Sequence, residues 1–115
     1  MRETEAERWI TMVPGIRRRT LVAGEKMMQM VVTLDAGSHL PEHQHPHEQL
    51  TYVLRGRVQF LIAGVVREVS SGQSICIPGG TPHAADVLED TLVVDTFSPP
   101  REDLLAEDRR VSYEL

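Results

Sequence analysis

The sequence predicts an all-β fold, a sandwich or barrel, with one short helix at its C-terminal end. Three observations predict it. Turn signals built from Gly, Pro and Ser recur about every 8–12 residues. The runs between them are short, rich in β-branched residues and often alternate in polarity. One helical pattern stands apart, directly after Pro99-Pro100.

The elements follow in order. Residues 16–23 and 27–35 read as strands separated by Ala23-Gly24-Glu25-Lys26. In the second, Met28, Met30, Val32 and Leu34 share one face, and Met27, Gln29, Val31 and Thr33 the other. Arg17, Arg18 and Arg19 read as a solvated edge that discourages strand pairing. Residues 49–54 and 57–62 flank Gly56 as two further strands. Ala63-Gly64 turns the chain into VVREV, and Ser70-Ser71-Gly72 turns it again. SICIP and TLVVDTF complete the strands. REDLLAEDRR forms the helix, with proline at its entry and acids in its first turn. Residues 1–115 form one domain without repeats or a low-complexity linker.

Composition excludes several classes. A net charge of −5 argues against non-specific nucleic-acid binding. One Trp, two Tyr and two Phe are too few for a base-stacking platform. No run approaches the roughly 20 apolar residues of a membrane span. The start, MRETEAERW, lacks the apolar stretch of a signal peptide, so a cytoplasmic location is expected. Cys76 is the one cysteine, which excludes an internal disulfide. Its place in SICIP reads as a buried small hydrophobe rather than a nucleophile.

Four of the five histidines lie between residues 39 and 47. His43 and His45 are two apart, so on one strand they point the same way, about 6.6 Å apart. Gln49 follows a break at Pro46, and His83 arrives after Pro-Gly-Gly-Thr-Pro. Imidazoles suit a divalent transition metal: Ni, Zn, Mn, Fe or Cu. A His-rich loop also occurs as a solvated turn with adventitious metal affinity. His47 in its turn and His39 before Pro41 are not counted as ligands.

The spacing resembles the cupin family. Its first motif appears as Gly37, His43, His45, Gln49 and Gly56, with Gln49 where the family has Glu. Its second appears as Gly72, Pro78, Gly80 and His83. The resemblance implies a double-stranded β-helix (jelly-roll) barrel with one metal inside, held by His43, His45, Gln49 and His83. Glu48 is the rival to Gln49. Only Gln49 keeps six residues before Gly56, and adjacent strand residues face opposite ways. Three imidazoles and an amide would leave the ion's charge uncompensated and raise its Lewis acidity.

Asp95 stands inside an apolar strand, sharing a face with Val93 and Phe97. A buried carboxylate is costly unless paired or put to use. It reads either as a general acid/base or as a salt-bridge partner of Arg101 or of Arg17 to Arg19. From Gly15 to Leu105, HPHEQ, YVLRG, IPGGTPH and DTFSPPREDLL resemble the pectin-degradation cupins of the KdgF type. That resemblance implies a metal-dependent, non-redox enzyme that opens unsaturated monouronates. Asp95 would be its acid/base, and Arg101 with Phe97 would hold the uronate. A small-molecule partner, a carboxylated sugar, and a homodimer are expected. The alternatives are a cupin dioxygenase and a non-catalytic metal- or sugar-binding module.

Overall fold

The computed structural model describes residues 8–113. Ten strands occur in it: β1 (Ile10–Val13), β2 (Ile16–Ala23), β3 (Met28–Leu34), β4 (His39–His43), β5 (Glu48–Arg55), β6 (Arg57–Ile62), β7 (Val65–Ser70), β8 (Ser74–Ile77), β9 (His83–Val87) and β10 (Thr91–Ser98). Helix α1 (Glu102–Tyr113) follows. The strands form two antiparallel sheets, ordered β1-β2-β3-β10-β5-β8 and β4-β9-β6-β7. The expected strands are present. Three more, β1, β4 and β9, were not separately predicted, and the helix runs past residue 110. No helix among the described residues is long and apolar enough to cross a membrane.

Alternation decides what enters the space between the sheets. Met28, Met30, Val32 and Leu34 of β3 are buried, as their parity predicts. Ile16 of β2, Val53 of β5, Val58 and Phe60 of β6, Val69 of β7, Ile77 of β8, Ala85 and Val87 of β9, and Val93 and Phe97 of β10 join them in the core. Two strands change character along their length. Inward positions run Val53, Thr51, Gln49 on β5 and Val93, Asp95, Phe97 on β10. The barrel is thus apolar at one end and carries polar groups towards the other. The β5–β10 register shifts once, where Leu54 is the extra residue between Val53 and Arg55. Gly56 follows at φ +100°, and a Cβ there would lie 2.5 Å from the Asp90 carbonyl.

Two readings are corrected. Cys76 is exposed, not buried. It lies on β8, an edge strand, and the inward residue there is Ile77. Arg18 is not part of a solvated edge but fully buried. It points inward with Ile16, and α1 supplies its counter-charges. Its Nη2 lies 2.7 Å from Glu107 Oε1, and its Nη1 lies 2.9 Å from Asp108 Oδ1. Thr20 Oγ1 donates to Asp108 Oδ2 at 2.5 Å. Leu104 and Leu105 pack against the core beside this anchor.

These contacts predict that the helix acids hold Arg18 rather than decorate it. An arginine cannot shed its proton, so removing both acids leaves a buried charge. Glu107→Gln combined with Asp108→Asn is expected to cost about 3 kcal/mol in urea unfolding. A loss below about 0.5 kcal/mol, the scale of exposed pairs, would show that solvent already compensates Arg18.

Candidate metal centre

Strand pairing brings the first two histidines together. His43 closes β4, His83 opens β9, and the register sets them opposite each other. His45 lies beyond the end of β4, so the expectation that both sit on one extended strand is corrected. The chain bends at Pro46 and His47 instead. The Pro78-Gly79-Gly80 turn packs on that bend. Gly80 N donates to the His45 carbonyl at 2.7 Å, and any Cβ at Gly79 would strike the Pro46 carbonyl. Ring centroids are 4.2 Å apart for His43–His83 and 5.1 Å for His45–His83.

Backbone carbonyls set the tautomer of each ring. Nδ1 of His43 meets Pro41 O at 3.0 Å, Nδ1 of His45 meets His47 O at 3.1 Å, and Nδ1 of His83 meets Thr81 O at 2.8 Å. Each Nδ1 therefore carries the proton, and each Nε2 keeps a bare lone pair. One potential ligand atom from each histidine lies within 4.8 Å of the others. His83 Nε2 is buried without a hydrogen-bond partner among the described residues. His45 Nε2 faces Gln49 Oε1 at 3.1 Å. With Nδ1 protonated these are two acceptors facing each other, an arrangement that a cation between them relieves. The donor set therefore fits a divalent transition metal.

Gln49 is buried, whereas Glu48 is exposed on the opposite face of β5. The amide extends the site inward. Gln49 Nε2 donates to Thr51 Oγ1 at 3.0 Å, and Thr51 Oγ1 donates to Asp95 Oδ1 at 2.5 Å. Register prepares this chain, since β10 sets Asp95 opposite Thr51 and Phe97 opposite Gln49. Asp95 thus takes its hydrogen bond from Thr51, and Arg18 is engaged by α1. The guanidinium of Arg101 stacks on Phe97 at 5.1 Å. Asp103 grips it through Nε at 3.1 Å and Nη2 at 2.9 Å.

Burial governs the electrostatics. It pulls His45 down to about 4, helped by the charges of Arg101 and His83. Burial also lowers His83, against the pull of the Thr81 carbonyl. Both rings are neutral at pH 7, the form that binds metal. Burial pushes Asp95 up to about 6, although the Thr51 hydroxyl, the Gln49 amide and Arg101 all oppose it. Its partner holds Asp103 down at about 2.

His43, Gln49, His83, Asp95, Phe97 and Arg101 line one cavity of about 50 Å³. Small-molecule sites commonly span roughly 300–1,000 Å³, so a six-carbon ligand enters only if a wall gives way. His39 lies outside, paired with Asp86 at 2.8 Å on the surface. His47 contributes its carbonyl to His45. The sequence reading missed Thr51, although its parity with Gln49 and Val53 was a signal that it points inward.

A family model described as the Cupin domain matches residues 30–95. The chain is a cupin. This cupin is 29% identical over 99 residues to the pectin degradation protein KdgF of Dickeya dadantii. The match covers 84% of this chain and 90% of that protein. The solved structure of KdgF from a Halomonas species superposes with a TM-score of 0.80 at 36% identity. It covers 85% of this cupin and 91% of that chain. An RmlC-like cupin from Shewanella frigidimarina gives a TM-score of 0.79 at 29% identity, covering 84% and 87%.

The buried acid of this cupin carries a stability prediction. Asp95 binds its proton more tightly folded than unfolded, so its contribution is complete below about pH 3.8 and is lost as pH rises through about 6. At pH 7 the buried carboxylate then costs the metal-free fold roughly 2–3 kcal/mol. His45 acts in the opposite sense, losing stability as pH falls from 6.5 towards 4. Comparing Asp95→Asn with wild type cancels that contribution. The variant is expected to be more stable in urea at pH 7 and no more stable at pH 3.5. Equal stability at pH 7 would contradict the assignment.

Proposed function

We propose that this protein is a metal-dependent enzyme that opens unsaturated monouronates into linear keto acids. The observation that carries the reading is Asp95. It is a buried carboxyl with its affinity for protons raised towards neutrality, linked through Thr51 to Gln49 and facing the cavity that Arg101 lines. Similarity to KdgF over most of both chains supports the substrate class. In this reading His43, His45, Gln49 and His83 hold one divalent transition metal. That ion supplies Lewis acidity, undiminished by any carboxylate ligand.

The reaction is an isomerisation and needs no oxidant. The anomeric hydroxyl loses its proton and the ring C–O bond breaks, giving an aldehyde and an enolate. A proton then returns to the enolate carbon to form the ketone. Asp95, with a pKa near 6, is suited to take up and return that proton. Arg101 binds the substrate carboxylate through the guanidinium edge that Asp103 leaves open. Phe97 supports the guanidinium from beneath. Entry of the ring requires the cavity to widen from its resting size.

The protein further acts as a homodimer in this reading. Leu50, Tyr52 and Leu54 stand about half exposed in a row on the outer face of β5. A two-fold interface would cover them. A monomeric mass in solution scattering at micromolar concentration would remove that part.

The test of the enzyme is turnover of unsaturated monouronates, followed by loss of their enone-acid absorbance, together with metal content. Wild type should bind one ion per chain, and His45→Ala and His83→Ala should each lower affinity. Asp95→Asn should cut turnover about 10²-fold with metal binding nearly unchanged. Wild-type turnover in Asp95→Asn would remove the acid/base role. Absence of turnover in wild type would leave a dioxygenase or a binding module as the reading.

A further inference from the structure

Thr51 lies between the amide and the acid, almost fully buried at 1% exposure. Its hydroxyl has one proton to give and lone pairs to accept with. It gives that proton to Asp95 Oδ1 and accepts from Gln49 Nε2. We propose that Thr51 is a positioning residue that locks the Gln49 amide with its oxygen towards the three histidines. The inference rests on the reading of His43, His45, Gln49 and His83 as metal ligands.

The alternative is an amide turned over by 180°. Its NH₂ would then meet the bare His45 Nε2, now 3.1 Å from the amide oxygen. That contact is a good hydrogen bond. It would consume the lone pair and withdraw the amide oxygen, and so disable two donors at once. Taken alone, the histidine end of the amide favours this closed arrangement.

The other end decides against it. In the turned amide, both Gln49 Oε1 and Asp95 Oδ1 would need the single Thr51 proton. One buried acceptor would go without a donor, at substantial cost. Asp95 as the carboxylate has no proton to offer, so its Oδ1 must take the one that Thr51 holds. Direction therefore propagates from Asp95 through Thr51 to Gln49. What the chain needs at position 95 is an acceptor oxygen for Thr51, which the amide of Asp95→Asn also offers.

The test uses cobalt(II) alone, without substrate, on the folded full chain. Thr51→Val removes the hydroxyl and keeps the branched shape. It is expected to weaken cobalt affinity about 10- to 100-fold, the usual effect of losing a group that orients a ligand. Its visible d–d absorption should differ from wild type. Thr51→Ser keeps the hydroxyl and should restore both affinity and spectrum. Wild-type affinity and spectrum in Thr51→Val would overturn the proposal, as would Thr51→Ser falling as far as Thr51→Val. Thr51→Ala replaces the valine variant if that fails to fold. Failure of both to fold would assign Thr51 to the core and also overturn it. Wild type that takes up no cobalt would instead end the metal reading itself.

Discussion

Antiparallel pairing of β5 with β10 places Thr51 beside Asp95 and Gln49 beside Phe97. The rest of the site is arranged around this constraint. On each strand the inward positions change from valine to hydrogen-bonding groups within two residues. Backbone ladders fix the spacing of those groups to within a fraction of an ångström, which loop residues rarely achieve. His43 and His83 follow the same logic on the facing sheet, where a second register pairs them. His45 is the exception. It sits on a bend that owes its place to the Gly79-Gly80 turn packed against it.

Such a site is expensive for a small barrel. Histidines, an amide, a threonine and an acid occupy space that hydrophobic residues fill at the other end. The structure limits the cost by leaving few charges unpaired. Burial keeps His45 and His83 neutral and draws Asp95 towards its protonated form. Carbonyls satisfy each Nδ1, and Thr51 satisfies Asp95. On the three ligand rings, His83 Nε2 stays buried without a hydrogen-bond partner among the described residues. A cation would complete that ring.

Much of this was legible from sequence because the residues involved have few alternatives. Gly56 is required by a left-handed backbone pressed against Asp90, and parity alone grouped the residues that share one face on β3 and on β10. Other features could not be read locally. Arg18 looked like one of three surface arginines because its acids lie 89 and 90 positions away, on the helix. Strand β4, HLPEH, hides behind proline and polar residues, and β9, HAADV, behind alanines. Cys76 looked buried because its neighbours are apolar. Strand β8 is an edge, and Cys76 on its outward face is exposed among the described residues. The position of His45 depended on where β4 stops, which its His-x-His spacing does not reveal.

The neighbours Glu48 and Gln49 face opposite ways, and the extra residue at Leu54 lies in the same strand. In a strand with a period of two, a slip of one residue exchanges the faces. Removing a residue between Gln49 and Val53, with the bulge at Leu54 and the end of β5 beyond it held in place by β10, would present Glu48 to the histidines. A bound ion would then gain a carboxylate without substitution of any ligand codon. Evolution can therefore change the charge of this centre by an insertion or deletion as well as by substitution. An alignment that scores only ligand identities would miss that route.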